Sequence, residues 1–313
     1  MDNQNDADNS YYLLMKQSTT IPTETAKILA GVNIFLAIAA SLGNGVILMA
    51  LPKVSSVHPP TKLLFQCLAV TDLCVGVIIQ PLFIPLVLDS VLKINMKLFA
   101  SIYLGQAAIS YTLCSVSFFI TTTIAVDRLL ALRLGLRYKH VVNLRRVKAA
   151  ILFASLLGVC CGLTHSFWNY QIAWIQVVVC IVLWALLSLL SYTKIFLTLR
   201  KQHGQVQETN FNGPLQSPCS RNPLNIAVYT KTVSDIAWVQ LALGACYFPF
   251  VIMVFITITT RWSGESTNVL WISAVTLIYL NSSLNPLLYC WKMKQVRKAA
   301  RVVVRQICCC PAI

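Results

Sequence analysis

The sequence is poor in charge. Only 11% of its 313 residues are Asp, Glu, Lys or Arg, against 57% hydrophobic residues, where a soluble chain of this size carries about a quarter charged residues. The mean hydropathy of +0.69 is equally far from a water-soluble composition. Acidic residues are the scarcest: 10 Asp and Glu against 25 Lys and Arg, a net charge of +15. On a soluble surface that excess would suggest a nucleic-acid partner. No RNA- or DNA-binding module is present, so nucleic acid is excluded as a partner. In a membrane protein the same excess marks cytoplasmic loops and contact with anionic lipid.

Other absences narrow the class. The only histidines are His58, His140, His165 and His203, scattered along the chain and never grouped with carboxylates or cysteines, so an enzyme is not expected. No internal repeat is visible, which weakens the alternative reading as a membrane transporter or channel with a midplane polar site. None of the 12 cysteines stands in a polar outer loop, so no structural disulfide is expected, and those in apolar runs act as small apolar side chains. The opening "MDNQNDADNSYYLLMKQSTTIPTE" is acidic and lacks a basic region leading into a short apolar core. Residues 1–25 read as an extracellular tail rather than a cleavable signal peptide.

What is present is long apolar runs. A helix of ~20 mostly apolar residues crosses the hydrocarbon core, and seven stretches qualify: 28–51, 63–88, 98–132, 147–168, 172–196, 227–258 and 268–291. The fold class is therefore an all-α membrane protein, a seven-transmembrane helix bundle over 26–291. Lys and Arg concentrate in one set of connections, among them Lys53, Lys62, Arg137, Arg145, Arg146, Arg200 and Lys201, and in the C-terminal tail. That asymmetry puts the N-terminus outside and the C-terminus inside a multi-pass plasma-membrane protein. The polar segment 203–223 reads as a cytoplasmic loop. Within 292–313, "KMKQVRKAARVVVRQI" alternates basic and apolar residues at helical spacing, as a short amphipathic helix on the inner leaflet would. Cys308, Cys309 and Cys310 beyond it are candidate acylation sites.

Ionisable groups inside a span cost several kcal/mol unless they meet a partner or a cavity. Asp72 lies mid-span in "LAVTDL", Asp127 adjoins Arg128 near the inner end of the third stretch, and Asp235 follows Lys231 by one turn. Asn44, Ser117, Asn281, Ser282 and Asn285 fall at the depth of Asp72. They could form a water-filled cluster able to hold a sodium ion through oxygen ligands, the one cofactor the chain calls for. They could equally be plain interhelical hydrogen bonds, and the sequence leaves both open.

These residues also carry a resemblance. "GNGV" with Asn44, "LAVTDL" with Asp72, "AVDRLLAL" with Asp127 and Arg128, Tyr192 in "SYTKIF", "CYFPF" with Tyr247 and Pro249, and "NPLLY" with Asn285, Pro286 and Tyr289 stand in order, one on each expected helix. The chain resembles a rhodopsin-like (class A) G protein-coupled receptor over nearly its whole length. The resemblance implies a heterotrimeric G protein as partner, with Arg128 leaving Asp127 to receive it and Tyr289 swinging toward Tyr192. It departs from the family at the third helix, where Tyr103 stands in place of the usual bridged Cys, and at the fifth, where Trp184 stands near the place of the usual Pro. Both departures are similar to the melanocortin, lysophospholipid, cannabinoid and adenosine branch, melanocortin receptors most of all. Tyr229 and its neighbours offer Arg128 no acidic partner at the inner end of the sixth helix, so constitutive activity is an expectation.

The same resemblance implies a ligand cavity walled by Gln80, Gln106, Ser110, Tyr111, Cys114, Tyr247, Phe250, Trp271 and Tyr279. Amine receptors carry an Asp where Ser110 stands, and opsins a Lys where Tyr279 stands, so neither class is expected. A neutral, lipid-like or peptide ligand is left, of unknown identity. Asp89 and Glu265 at the rim could meet a basic peptide or could simply be solvated.

Overall fold

A backbone inside lipid finds no water to bond, so long apolar runs must close their own hydrogen bonds as helices. A computed structural model describes residues 20–55, 57–134, 137–167, 175–176, 178–183, 185–187, 189–190, 193–194, 197, 241–242, 244–257, 259 and 264–308. All regular structure among them is helical. α1 is Thr23–Ala50, drawn into a tighter turn over Leu51–Lys53. α2 is Pro59–Val87, α3 Met96–Leu134 and α4 Leu144–Phe167. The described residues of α5 lie between 175 and 197, and α6 is Gly244–Thr257. α7 is Glu265–Lys292 and α8 is Lys294–Cys308. One-turn helices at Asp89–Leu92 and Tyr138–Val141 fill two of the connections.

Each apolar stretch meets a helix. Among the described residues, four helices are long and apolar enough to cross a membrane by length and composition: Thr23–Lys53, Pro59–Val87, Met96–Asp127 and Leu144–Thr164. α1 starts at Thr23 and α7 at Glu265, several residues before the apolar runs do. Their first turns are polar and escape a reading based on hydropathy. Trp184, Tyr192, Cys219, Tyr229, Lys231, Asp235, Cys309, Cys310 and the segment 203–223 lie outside the described residues.

The polarity is inside out. Ile28, Phe35 and Leu42 recur every seven residues on the outer face of α1, and Leu152, Phe153, Leu156 and Leu163 line that of α4. Asn44, Asp72, Ser117 and Asn285 are buried. In water such an apolar exterior would associate; in lipid it is the solvated face. Two apolar clusters fill the interior. One holds Ile79, Phe83, Phe118, Tyr247 and Tyr279 toward the end carrying Thr23 and Gly264, here the N-terminal face. The other holds Leu64, Leu68, Ile120, Ile124 and Tyr289 toward the opposite, C-terminal face. The polar layer of Asn44, Asp72 and Asn285 falls between them.

With little hydrophobic drive between helices in lipid, close backbone approach through small residues does the packing. α3 packs chiefly on α4, and α1 on α7 and α2. A Cβ at Gly158 would stand 2.8 Å from the Thr112 carbonyl oxygen, and one at Gly162 would stand 2.6 Å from that of Ala108. α8 lies against α1, with Val296, Ala300 and Val303 recurring at helical spacing; Ala300 and Val303 pack with Ala50 and Val46, and Val296 joins the cluster that holds Leu64 and Tyr289. Lys53 donates to Gln306 across that seam.

Gly162→Leu drives a side chain into α3 and is expected to destabilise the protein by about 1–3 kcal/mol, seen as a lower thermal unfolding midpoint in detergent. Gly45→Ala, where nothing lies within 4 Å of the added carbon, keeps or raises the midpoint, because Ala is the better helix former. Equal behaviour of the two would remove the packing argument.

Candidate functional site

Pro286 sits inside α7. Proline has no N–H, so the carbonyl four residues back, that of Ser282, loses its helical partner. In lipid depth that oxygen needs a replacement, and Asn44 of α1 supplies it: its Nδ2 donates to the Ser282 carbonyl oxygen at 2.9 Å. Gly43 next to it makes room, since a Cβ there would meet the Pro286 ring at 3.0 Å. Ser283 adds a second tie, donating to the Leu36 carbonyl oxygen at 3.0 Å.

One turn further into the bundle, Asn285 Nδ2 donates to Asp72 Oδ2 at 2.7 Å, both groups fully buried, and the Ser282 hydroxyl lies beside the carboxylate. Ser117 spends its proton on Thr71 Oγ1 at 2.9 Å, beside Asp72 rather than on it. Asn281 is buried in the same layer. The Oδ1 atoms of Asn44, Asn281 and Asn285 are buried without a partner among the described residues. A carboxylate surrounded by unpartnered amide oxygens is a donor set that fits a small hard cation.

Near the C-terminal face Asp127 accepts from Tyr138 OH at 2.6 Å and from Thr61 Oγ1 at 2.9 Å. The backbone of Arg128 belongs to α3, while its side chain lies outside the described residues. Tyr289 is buried edge-on against Phe65, ring centroids 5.2 Å apart, and its hydroxyl has no partner among the described residues.

Above the polar layer a cavity faces the N-terminal end. Its wall includes Gln106, Ser110, Tyr111 and Cys114 of α3, Tyr247 and Phe250 of α6, and Trp271 and Tyr279 of α7. Gln106 Nε2 donates to Tyr279 OH at 2.7 Å. Tyr247 stands edge-on to Phe118 at 4.4 Å, forming the floor. Among the described residues, no side chain lining it is charged.

A bundle with a proline-broken last span, a buried acid facing it and a cavity above can now be compared with known proteins. The profile of the 7 transmembrane receptor (rhodopsin family) matches residues 43–171 and 158–289. The chain belongs to that family. The receptor is 24% identical over 316 aligned positions to adenosine receptor A2a of Homo sapiens, covering 91% of this chain and 74% of that one. It is 23% identical over 323 positions to adenosine receptor A3 of Ovis aries, covering 95% of each. Adenosine receptor A3 of Canis lupus familiaris matches at 24%, over 91% of this chain and 95% of its own. These relatives fall in the adenosine group, one of the four that the departures at Tyr103 and Trp184 suggested; they lend the melanocortin resemblance no support.

The receptor's cavity brings together eight of the nine residues expected to wall it; the ninth corrects the sequence reading. Gln80 is fully buried and turns to α1, where Nε2 donates to the Asn33 carbonyl oxygen at 3.3 Å. The reason lies one turn earlier. Pro81 cannot donate to the Val77 carbonyl, and Val75–Ile79 opens into a π-turn, with the Gln80 N–H reaching back to Val75. The extra residue rotates the rest of α2 by roughly 100°, one residue of an α-helix. Phe83, Leu86 and Val87 thereby face the cavity, which straight helical counting missed. The two prolines in "QPLFIP" were the available signal. Asp89, expected at the rim, is buried instead, and its Oδ1 accepts from the Ile94 N–H at 3.1 Å. Glu265 is exposed. Pro249 is half-buried in α6, and Cys308 is exposed in the last turn of α8.

Asn285→Leu leaves the Asp72 carboxylate short of its donor and is expected to cost about 1–3 kcal/mol, read as a fall in the receptor's unfolding midpoint. The double variant Asp72→Asn/Asn285→Leu should lose clearly less than the sum of the singles. Full additivity would mean that the two side chains do not act as a pair.

Proposed function

We propose that the receptor takes an uncharged, largely apolar ligand in its cavity at the N-terminal face, that this face is extracellular, and that binding opens the opposite face to a heterotrimeric G protein. The observation that carries the ligand class is the absence of any charged side chain from the cavity wall among the described residues. An ammonium or carboxylate brought there would lose its water with no ion to replace it. The Gln106–Tyr279 pair offers one neutral polar anchor among aromatic walls. Ser110 supplies no counterion for an amine, and Asp89 is engaged in its own turn, which disfavours a basic peptide. The similar adenosine receptors are named for a nucleoside, an uncharged ligand, while the aromatic lining here favours a lipid-like one. Family membership implies a receptor without enzymatic chemistry.

Support for the orientation comes from charge: Lys53, Lys62, Arg145, Arg146, Lys148 and the basic residues of α8 share the C-terminal face, against Lys27, Lys93 and Lys97 among the described residues at the other. In this reading Arg128 receives the G protein in the plasma membrane's cytoplasmic cleft. Tyr247, Pro249, Asn285, Pro286, Tyr192 and Tyr289 pass the shape change between the faces. Asp72 with Asn281, Asn285 and Ser117 holds a sodium ion, which supplies positive charge to a buried acid. α8 rests on anionic lipid, anchored by acylation at Cys308, Cys309 or Cys310.

Expression with a panel of G protein biosensors, first without ligand and then with neutral lipids, nucleosides, peptides and amines, tests the reading. Activation by an uncharged compound, lost in Gln106→Leu, is expected; activation confined to amines or basic peptides would overturn the ligand class. Arg128→Ala should abolish coupling while surface expression persists, and normal signalling by it would remove the assigned role. Replacing choline chloride with sodium chloride should raise the unfolding midpoint of the wild type and leave that of Asp72→Asn unmoved. An unresponsive wild type would rule out the ion.

A further inference from the structure

Two thiols meet where α4 approaches α5. Cys161 of α4 is buried and Cys180 of α5 is half-buried, and the two thiols are near neighbours. Gln176 Nε2 donates to Cys161 Sγ at 3.1 Å. Gln176 and Cys180 are four residues apart in the sequence, the spacing at which side chains share a helical face. Cys180 also lines the ligand cavity, which gives it a route to solvent. The adjacent Cys160 is exposed on the outer face of α4, away from this contact.

We propose that Cys161 and Cys180 are an oxidisable pair that closes a disulfide between α4 and α5 on the cavity wall. The oxidant is a small peroxide entering through the cavity. The Cys180 sulfur attacks one peroxide oxygen, the O–O bond breaks, and water leaves with the thiol proton, giving a sulfenic acid. The Cys161 sulfur then attacks Cys180 Sγ, the S–O bond breaks, and a second water carries off the Cys161 proton. Two thiols and one hydrogen peroxide become one disulfide and two waters, with two electrons passing from sulfur to oxygen. Closure removes a thiol from the ligand cavity and ties α5 to α4. Chemistry and geometry are independent of which face is outside; only an oxidising supply at that face rests on the orientation proposed above.

The test uses full-length receptor in lipid nanodiscs, where orientation plays no part, with Cys160→Ser removing the neighbouring thiol. Hydrogen peroxide, iodoacetamide and proteolytic mass spectrometry follow in turn. The expected result is an intrachain peptide pair joined through Cys161 and Cys180, loss of most alkylation at both, and recovery of both with dithiothreitol. A link already present before peroxide and cleaved by dithiothreitol supports the pair equally. Oxidation should also raise the unfolding midpoint, and Cys161→Ser and Cys180→Ala, made separately, should each abolish that rise. Full alkylation of both thiols after peroxide, or links that join either one to another cysteine or another chain, would overturn the proposal.

Discussion

The bundle depends on one replaced hydrogen bond. Pro286 takes a donor out of α7 at a depth where no water can stand in, and Asn44 returns it from a neighbouring helix. The replacement fixes two helices in register. It also demands Gly43, because only a residue without Cβ lets the ring of Pro286 approach. A helix break that would be costly in isolation becomes the point that ties α1, α2 and α7, since Asn285, the residue before the proline, reaches Asp72 from the same turn. Asp72 is tolerable in the bilayer because that amide and the Ser282 hydroxyl meet it. The polar layer is one connected arrangement rather than a scatter of exceptions.

The layer divides the interior into halves with different chemistry. Toward the N-terminal face, aromatic side chains on α3, α6 and α7 enclose a cavity with no charged side chain among the described residues. Toward the C-terminal face, a carboxylate is held by Tyr138 and Thr61, and Tyr289 is buried with its hydroxyl unpartnered among the described residues. A well-packed apolar core has one good arrangement. A layer rich in amides and hydroxyls has several of similar energy, because donors can exchange acceptors. That is where a bundle can change shape without exposing backbone to lipid.

Much of this is legible in the sequence because lipid imposes strict rules. Long apolar runs must be helices, and buried Asn, Asp and Pro must have partners, so Asp72, Asn44 and Asn285 group together by residue type and depth alone. Eight cavity residues are also within reach, since they lie on regular parts of α3, α6 and α7. Gln80 escapes because its position depends on counting through a π-turn. That turn follows from Pro81 together with the close approach of α1, where a Cβ at Gly76 would lie 2.9 Å from the Ala37 carbonyl oxygen. Asp89 escapes because a charged residue at a rim looks solvated until its turn is seen.

The sequence by itself determined the helices, their number, the membrane as solvent and the need for a polar layer, because each follows from local composition and the cost of unpaired groups in hydrocarbon. The tertiary structure alone decided which groups pair: that Asn44 answers the Ser282 carbonyl, that Ser117 turns to Thr71, that Phe83 rather than Gln80 faces the cavity, and that Cys161 meets Cys180. Those choices depend on helix rotation and close approach, which are set by contacts between residues far apart along the chain.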